Sequence, residues 1–408
     1  MTDPRRMFLR IMMILLIAAI LPVRMNQAQA QGGIVVEEPG VVVNFGSTIT
    51  FQARVKTPIP IQQVSLLFRG VTEDVTRVET VQVADDGFTS FTYDVSLNVF
   101  PPFSWIVFWY QATLNDGNTY TSSPIQFQYY DDRFPWRQLN RANITLNWYA
   151  GDDAFATAAL DTAARGLLAM TEFIPISLSE PTQIYIYSNA SDLQDTLMLG
   201  GMEWAGGHAH HELGIAMVAI APGAGQSIEM ETKIPHELAH LMLFRALGAQ
   251  YERQPAWLIE GIASTMELYP NPEYARALNI ASENNSLIPI LDLCASLPAD
   301  TGSAFLAYAQ SQSFVTYIRD SFGSSGLARL ISAYSDGFNC ELGATQALGT
   351  PLSQLDLRWR ETVLGQNVTG VALRNLLPFL LLLVLVLFVP FWGAIDFLLQ
   401  RRKRGKPQ

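Results

Sequence analysis

Two histidines and a glutamate near the middle of the chain have the spacing of a metal-binding site. Residues 236–240 read His-Glu-Leu-Ala-His. Residues four apart on a helix share one face, so His236 and His240 could both bind one metal ion at about 2.0–2.1 Å. Glu237 points beside that face, where its carboxylate can take a proton from metal-bound water without being a ligand. The segment therefore predicts a hydrolytic metal site.

A third ligand is predicted in a second segment further along the chain. Residues 257–263 read Trp-Leu-Ile-Glu-Gly-Ile-Ala, and turn residues, Gly248 among them, lie between this segment and His240. A helical hairpin would return Glu260 to the two histidines as an oxygen ligand, which leaves the fourth tetrahedral position to water. Gly261 would permit a close helix–helix approach. The alternative is that Glu260 is a surface carboxylate.

The two segments together resemble the gluzincin zinc metallopeptidases, in particular the peptidase MA-like branch. The resemblance covers roughly residues 144–364. It implies that His236, His240 and Glu260 bind Zn²⁺. Glu237 would be the catalytic base, and the substrate would be a peptide or a protein.

The surroundings of the motif raise two further expectations. Relatives in this family have an exposed strand before the motif helix that lines the cleft and pairs with the substrate backbone. The apolar segment Gly214–Ala221 is predicted to take that place. Pro235 directly precedes His236, so the motif helix either begins at the proline or is kinked there.

Two positions depart from the family pattern. Many relatives carry an acidic residue one turn past the third ligand, where this chain has Ser264. Glu267, the next acid, either orients a ligand or is a solvated helix carboxylate. Gly201-Met202-Glu203 is similar to the loop that binds the free amine of aminopeptidase substrates, but Trp204 replaces the asparagine of that loop. Endopeptidase action is therefore favoured over aminopeptidase action.

Other candidates for catalysis come from a histidine cluster and a tyrosine. His208, His210 and His211 precede the motif, and they form a polar surface loop, a second metal site, or a donor to the oxyanion of the transition state. His210 is taken as the donor candidate. Tyr308 is the other candidate for that role, although a helical tyrosine is more often a core residue.

Residues 1–30 are predicted to be a signal peptide. Three arginines precede the apolar run 11–21, and Ala28-Gln29-Ala30 is a small-x-small cleavage site. The alternative is a first transmembrane anchor, but such a short apolar run spans only about half of a bilayer.

Residues 374–397 are predicted to be a single transmembrane helix. Leu376 to Ile395 carry no charge, and a helix of about 20 apolar residues spans a bilayer. Arg401-Arg402-Lys403-Arg404 follows, as expected on the cytoplasmic side, so residues 398–408 would be a basic cytoplasmic tail. The lipid bilayer is then one partner, and the catalytic domain lies outside the cytoplasm at a plasma or inner membrane.

Composition and charge exclude two classes of protein. The chain is 49% hydrophobic and 15% charged, which excludes a largely disordered protein. Of the 26 basic residues, ten lie before residue 31 or after residue 373, against two of the 37 acidic residues, so the portion between carries a formal charge of −19. Such a surface repels phosphate backbones, and no nucleic-acid partner is expected.

The portion outside the membrane is predicted to contain two domains. Residues 31–132 are rich in short β-branched and aromatic segments separated by turns such as Asp85-Asp86-Gly87, which is typical of an all-β sandwich of immunoglobulin or fibronectin type. That domain would serve in binding or spacing. Residues 136–366 have strands first and helices later, which predicts an α+β domain that contains the metal site.

Cys294 and Cys340 either form a disulfide, which an oxidising compartment permits, or are two buried thiols. The alternative function is a cell-surface adhesion or binding protein whose zinc domain is structural or degenerate. The presence of Glu237 argues against this alternative, because a purely structural site does not require a base.

Overall fold

The chain has two compact units, which meet in sequence between Arg133 and Phe134. The computed structural model describes residues 35–57, 59–97, 99–173, 180–197, 207–366 and 368–404. The predicted signal peptide and the loop Gly201-Met202-Glu203 lie outside the described residues. Each unit is considered by itself below.

The first unit consists of two antiparallel sheets. Its strands are β1 Val35–Asn44, β2 Thr48–Lys56, β3 Ile61–Gly70, β4 Arg77–Val81, β5 Phe88–Asp94, β6 Trp105–Leu114, β7 Thr119–Thr121 and β8 Ile125–Gln128. One sheet has the order β1-β2-β5, and the other has the order β4-β3-β6-β7, with β8 also paired to β6. Phe51 of the first sheet contacts Phe68 and Phe108 of the second, so the two sheets pack face to face around aromatic rings.

The second unit begins with a mixed sheet. Its strands are β9 Arg137–Arg141, β10 Ile144–Trp148, β11 Thr182–Tyr187, β12 Gly207–His210 and β13 Ile215–Ala219. The order is β12-β13-β11-β10-β9, in which β10, β11 and β13 are parallel and the two outer strands are antiparallel. Within the described residues, β12 is therefore the edge strand nearest to the motif in sequence.

The expectation that Gly214–Ala221 is the exposed cleft strand is wrong. The strand in that segment is β13, which lies between β12 and β11, and all five of its residues are buried. A continuous apolar run is typical of a strand that is covered on both faces, whereas an exposed strand alternates. The short strand β12, which carries two of the clustered histidines, occupies the edge instead.

Helices cover the sheet and make up the rest of the second unit. They are α1 Asp153–Phe173, α2 Ala190–Leu197, α3 Gln226–Leu247, α4 Ala256–Thr265, α5 Pro272–Asn284, α6 Thr301–Ser335, α7 Cys340–Leu348, α8 Leu352–Thr362 and α9 Val368–Arg404. Leu146 and Val218 of the sheet, Leu238 of α3 and Trp257 of α4 share one buried core. That core fixes α3 and α4, which carry the candidate ligands, against the sheet and against each other.

Helix α9 is long and apolar enough to cross a membrane. Its window Leu376–Ile395 has a mean hydropathy of 2.6, and none of this window is buried. Pro378 and Pro390 lie inside the helix, which continues through the basic residues to Arg404. An apolar window that no other described element covers is unlike a core helix of a soluble domain.

Cys294 and Cys340 form a disulfide, so the first of the two alternatives is confirmed. The bond ties the short turn Ile290–Leu293 to the first residue of α7. The carbonyl oxygen of Cys294 also accepts a hydrogen bond of 3.0 Å from the N–H of Ala256, the first residue of α4. The disulfide therefore anchors the start of the helix that carries Glu260.

We expect the double substitution C294A/C340A to lower the free energy of unfolding of the second unit by about 4 kcal/mol, because the bond closes a 46-residue loop in the unfolded chain. Urea unfolding of the full-length protein in detergent, followed by helical circular dichroism, measures this loss. Reduced wild-type protein should match the variant. An unchanged urea midpoint would show that the bond does not stabilise the fold.

Candidate metal centre

The two motif histidines lie on one face of α3, in the middle of the helix. Their Nε2 atoms are 3.3 Å apart, and both rings are largely buried. The alternative in which the motif helix begins at Pro235 is wrong, because α3 begins at Gln226 and includes the proline. The motif therefore lies in the interior of a long helix.

Pro235 has a specific consequence for the site. A proline has no N–H, so the carbonyl oxygen of Glu231, four residues earlier, has no intrahelical partner. That oxygen instead accepts a hydrogen bond of 2.8 Å from the N–H of Leu268. The backbone directly after Glu267 is thereby held against α3, one turn from His236.

Glu260 is brought to the histidines by α4. Its Oε2 atom lies 3.5 Å from Nε2 of His236 and 3.5 Å from Nε2 of His240. This oxygen is buried and has no hydrogen-bond partner within the described part of the chain. The three ligand atoms all lie within 4.8 Å of one another, so the expectation of a surface carboxylate does not apply to Glu260.

The neighbouring Gly261 explains how α4 reaches this position. A methyl group built on Gly261 would lie 2.8 Å from the carbonyl carbon of Ser311 in α6, and closer still to its oxygen. The prediction that Gly261 permits a close approach of helices is confirmed, with α6 as the partner. The approach sets the depth at which Glu260 enters the site.

The other nitrogen of each imidazole is held by a second side chain. Nδ1 of His236 lies 3.2 Å from Oε1 of Glu267, and Nδ1 of His240 lies 3.0 Å from the hydroxyl of Tyr251. The Glu267 side chain is 2% exposed, so the alternative of a solvated carboxylate is wrong. Such partners orient the ring of a metal ligand and select its tautomer. Both Nε2 atoms consequently face Glu260.

Sequence reasoning missed Tyr251. It lies in the 3₁₀ turn Gly248–Arg253 between α3 and α4, and its ring packs against Phe244 and His211. No motif marks it, because its role depends on where the turn passes over His240. The available signal was positional: a polar side chain in the turn between two ligand helices is a candidate partner for the free imidazole nitrogen.

The distances fit a zinc ion. Two atoms bound about 2.0–2.1 Å from one tetrahedral ion lie about 3.3 Å apart. The observed separations are 3.3 Å between the histidines and 3.5 Å from each histidine to Glu260. Two imidazoles and one carboxylate also form a donor set that leaves one tetrahedral position open.

The electrostatics of the centre favour a positive charge. Burial lowers the pKa of His236, but the contacts with Glu260 and Glu267 outweigh burial and raise this pKa to about 10. Burial raises the pKa of Glu260, but His240 and His236 beside it hold this pKa well below its usual range. A metal ion bound here would supply positive charge to the same carboxylates and would compete with protons for the imidazole nitrogens.

Glu237 lies beside the ligands and is 7% exposed. Burial raises the pKa of its carboxyl group above the usual value, more than the neighbouring histidines lower it. A carboxylate with a raised pKa is better matched to accepting a proton near neutral pH than an exposed one.

The two remaining candidates for catalysis are Tyr308, which lies near a ligand, and His210, which lies in the histidine cluster. The ring of Tyr308 in α6 is 6.1 Å from the ring of His236, and burial followed by the charges of Glu260 and Glu237 raises its pKa. The ring of His210 is 6.5 Å from the rings of His208 and His211. Its Nδ1 atom is buried without a hydrogen-bond partner in the described residues.

Among the clustered histidines, His208 has the most strongly lowered pKa. Burial and then the rings of His210 and His240 lower its pKa to about 4. The ring of His211 packs against Phe244, and its Nε2 atom lies 3.4 Å from Oε1 of Glu252. Among the described residues, only His236, His240 and Glu260 bring three ligand atoms close enough for one metal ion, so the second metal site is not formed by these three histidines.

Comparison with solved structures gives matches of low similarity. A carbohydrate-binding module of family 56 that binds β-1,3-glucan is 12% identical, covers 23% of this chain and 96% of its own, and has a TM-score of 0.16. A structure described as a myokine is 10% identical, with coverages of 24% and 97% and a TM-score of 0.20. A polysaccharide deacetylase from Bacillus cereus is 6% identical, with coverages of 41% and 54% and a TM-score of 0.20. Scores this low do not establish a common fold.

The family comparison is more informative. No curated protein matches the chain. The model of the Peptidase MA superfamily matches residues 162–365, which are half of the chain and include every residue of the candidate metal centre. The chain therefore belongs to the Peptidase MA superfamily, and its second unit is a peptidase domain.

Proposed function

We propose that the second unit is a zinc-dependent metallopeptidase of the gluzincin type. The observation that supports this proposal is the convergence of two Nε2 atoms and one buried carboxylate oxygen. Both Nδ1 atoms are in hydrogen-bond contact with other side chains, those of Glu267 and Tyr251. The arrangement leaves Glu237 beside the ligands without using it as one. A site that only stabilised the fold would have no use for a buried carboxylate in that place.

Zn²⁺ bound by His236, His240 and Glu260 would supply Lewis-acid activation of water and of the peptide carbonyl group. The carboxylate of Glu237 accepts a proton from the attacking water and then passes it to the leaving amine. Tyr308, which lies near His236, and His210 on the edge strand are the proposed donors to the oxyanion.

The edge strand β12 is the proposed platform for the substrate. An edge strand presents unpaired N–H and C=O groups, to which an extended peptide can add as a further strand. β12 contacts α3 on the side of Glu237, so a peptide paired to β12 would pass close to the base. This geometry supports endopeptidase action on an extended segment of a peptide or protein.

We propose that α9 anchors the protein in a plasma or inner membrane, with the first unit and the part of the second unit before α9 on the extracytoplasmic side. The uncovered apolar window and the basic residues after it support this topology. The paired sheets of the first unit support an immunoglobulin-like or fibronectin-like sandwich, which would bind a partner or act as a spacer.

Metal removal tests the proposed function. We expect full-length protein purified in detergent to contain one zinc ion per chain and to cleave members of a quenched fluorescent peptide library. A chelator should abolish cleavage, and added Zn²⁺ should restore it, because the open coordination position is where water is activated. Cleavage that persists in metal-free protein would refute the proposal. Bound zinc without cleavage of any peptide would instead favour the adhesion or binding function.

A further inference from the structure

The edge strand β12 and Glu237 lie in direct contact at Gly207. A methyl group built on Gly207 would lie 2.8 Å from Cδ and 2.9 Å from Cγ of Glu237, and closer still to Oε1. Atoms in favourable non-bonded contact are about 3.5–4.0 Å apart. The carboxylate of Glu237 therefore occupies the space that a side chain at position 207 would need.

Space, and not backbone conformation, explains the glycine at this position. Gly207 is absent from the residues with a left-handed φ, so other amino acids could adopt its backbone conformation. It pairs with Val218 as the first described pair of the antiparallel ladder between β12 and β13. Among the described residues, the constraint on position 207 is the space that Glu237 occupies.

The backbone is fixed on both sides of this contact, so the side chain of Glu237 is the group that can move. Gly207 is held by β13, whose five residues are all buried. Glu237 is 7% exposed and follows His236, whose ring is held by Glu267. A larger residue at position 207 must consequently turn the carboxylate of Glu237 away from the strand.

We propose that Gly207 is a positioning residue for Glu237: its missing side chain sets how close the carboxylate lies to β12 and to a peptide paired with that strand. This inference rests on the proposed function, in which Glu237 is the base. A base displaced by about 1 Å can cost about 100-fold in rate, because proton transfer requires hydrogen-bond distance to the reacting water.

The catalytic test is the Gly207→Ala substitution in the full-length protein in detergent. We expect kcat for peptide cleavage to fall about 100-fold while KM and the zinc content stay unchanged, because the ligands are not touched. Gly302→Ala is the matched control, since a methyl group there meets no atom closer than 3.8 Å. An unchanged kcat in the Gly207 variant, or a loss of zinc, would overturn the inference.

A second measurement detects the contact without catalysis. In metal-free protein, Gly207→Ala should lower the urea midpoint of the second unit, and the added substitution Glu237→Ala should restore most of that loss by removing the carboxylate. Equal effects of Gly207→Ala with and without Glu237 would overturn the inference. A restored midpoint, together with wild-type protein that cleaves no peptide, would support the contact and refute the proposed function.

Discussion

Replacing Glu237 by glutamine is expected to lower kcat for peptide hydrolysis by about 10²- to 10⁴-fold while zinc remains bound. Glutamine has nearly the same shape as glutamate and fits the same buried space against Gly207. Its amide cannot accept a proton from water at neutral pH, and the side chain at position 237 is not one of the three converging ligands. The substitution therefore removes the base and keeps the metal centre.

The measurement compares turnover and zinc content of Glu237→Gln with those of wild-type protein in detergent. Glu283→Gln is the matched control, because Glu283 is an exposed carboxylate on α5. It should leave both quantities unchanged. Equal turnover by Glu237→Gln and wild type would remove the proposed role of Glu237 as the base.

The second large effect is expected at the third ligand. Glu260→Ala should weaken zinc binding by more than about 100-fold, because removing only a partner of a ligand typically costs about 10- to 100-fold. The alanine also removes the buried carboxylate oxygen that faces both Nε2 atoms. Peptide cleavage at a fixed low zinc concentration should fall with the occupancy.

The control for this prediction is a second variant, Glu267→Gln, which should reduce the zinc affinity to a smaller extent. Glu267→Gln keeps an oxygen that can accept a hydrogen bond from Nδ1 of His236 but removes the charge. It should weaken zinc binding less than Glu260→Ala does. Competition with a zinc-binding dye measures both affinities. A Glu260→Ala variant that binds zinc as tightly as wild type would show that Glu260 is not a ligand.

The candidate ligands could be named from the sequence because their geometry is local. The helical period places His236 and His240 on one face whatever surrounds the helix. The segment with Glu260 and Gly261 carries its own packing signal, since a glycine beside a ligand invites another helix. The helix that could cross a membrane is equally local, because its length and apolarity suffice to predict it.

Contacts between segments that are distant in sequence could not be predicted from local patterns. Tyr251 was missed and Glu267 was one of two alternatives, because they lie 11 and 31 residues from the histidines that they contact. Pro235 was recognised as unusual, but its effect depends on Leu268, which reaches the freed carbonyl oxygen only in the folded chain. The contact between Gly207 and Glu237 likewise could not be predicted from the sequence of either segment alone.

The sequence by itself determined which side chains could bind a metal ion, which stretch could cross a membrane and that the first unit is built of strands. Helical periodicity, apolarity and turn residues depend on a few neighbouring positions, so they can be recognised from a short stretch of sequence. Only the tertiary structure decided that β12 and not β13 is the edge strand, which side chains orient the histidines and how close Glu237 lies to the strand. Those properties are distances between remote segments, and the packing of the whole unit sets them.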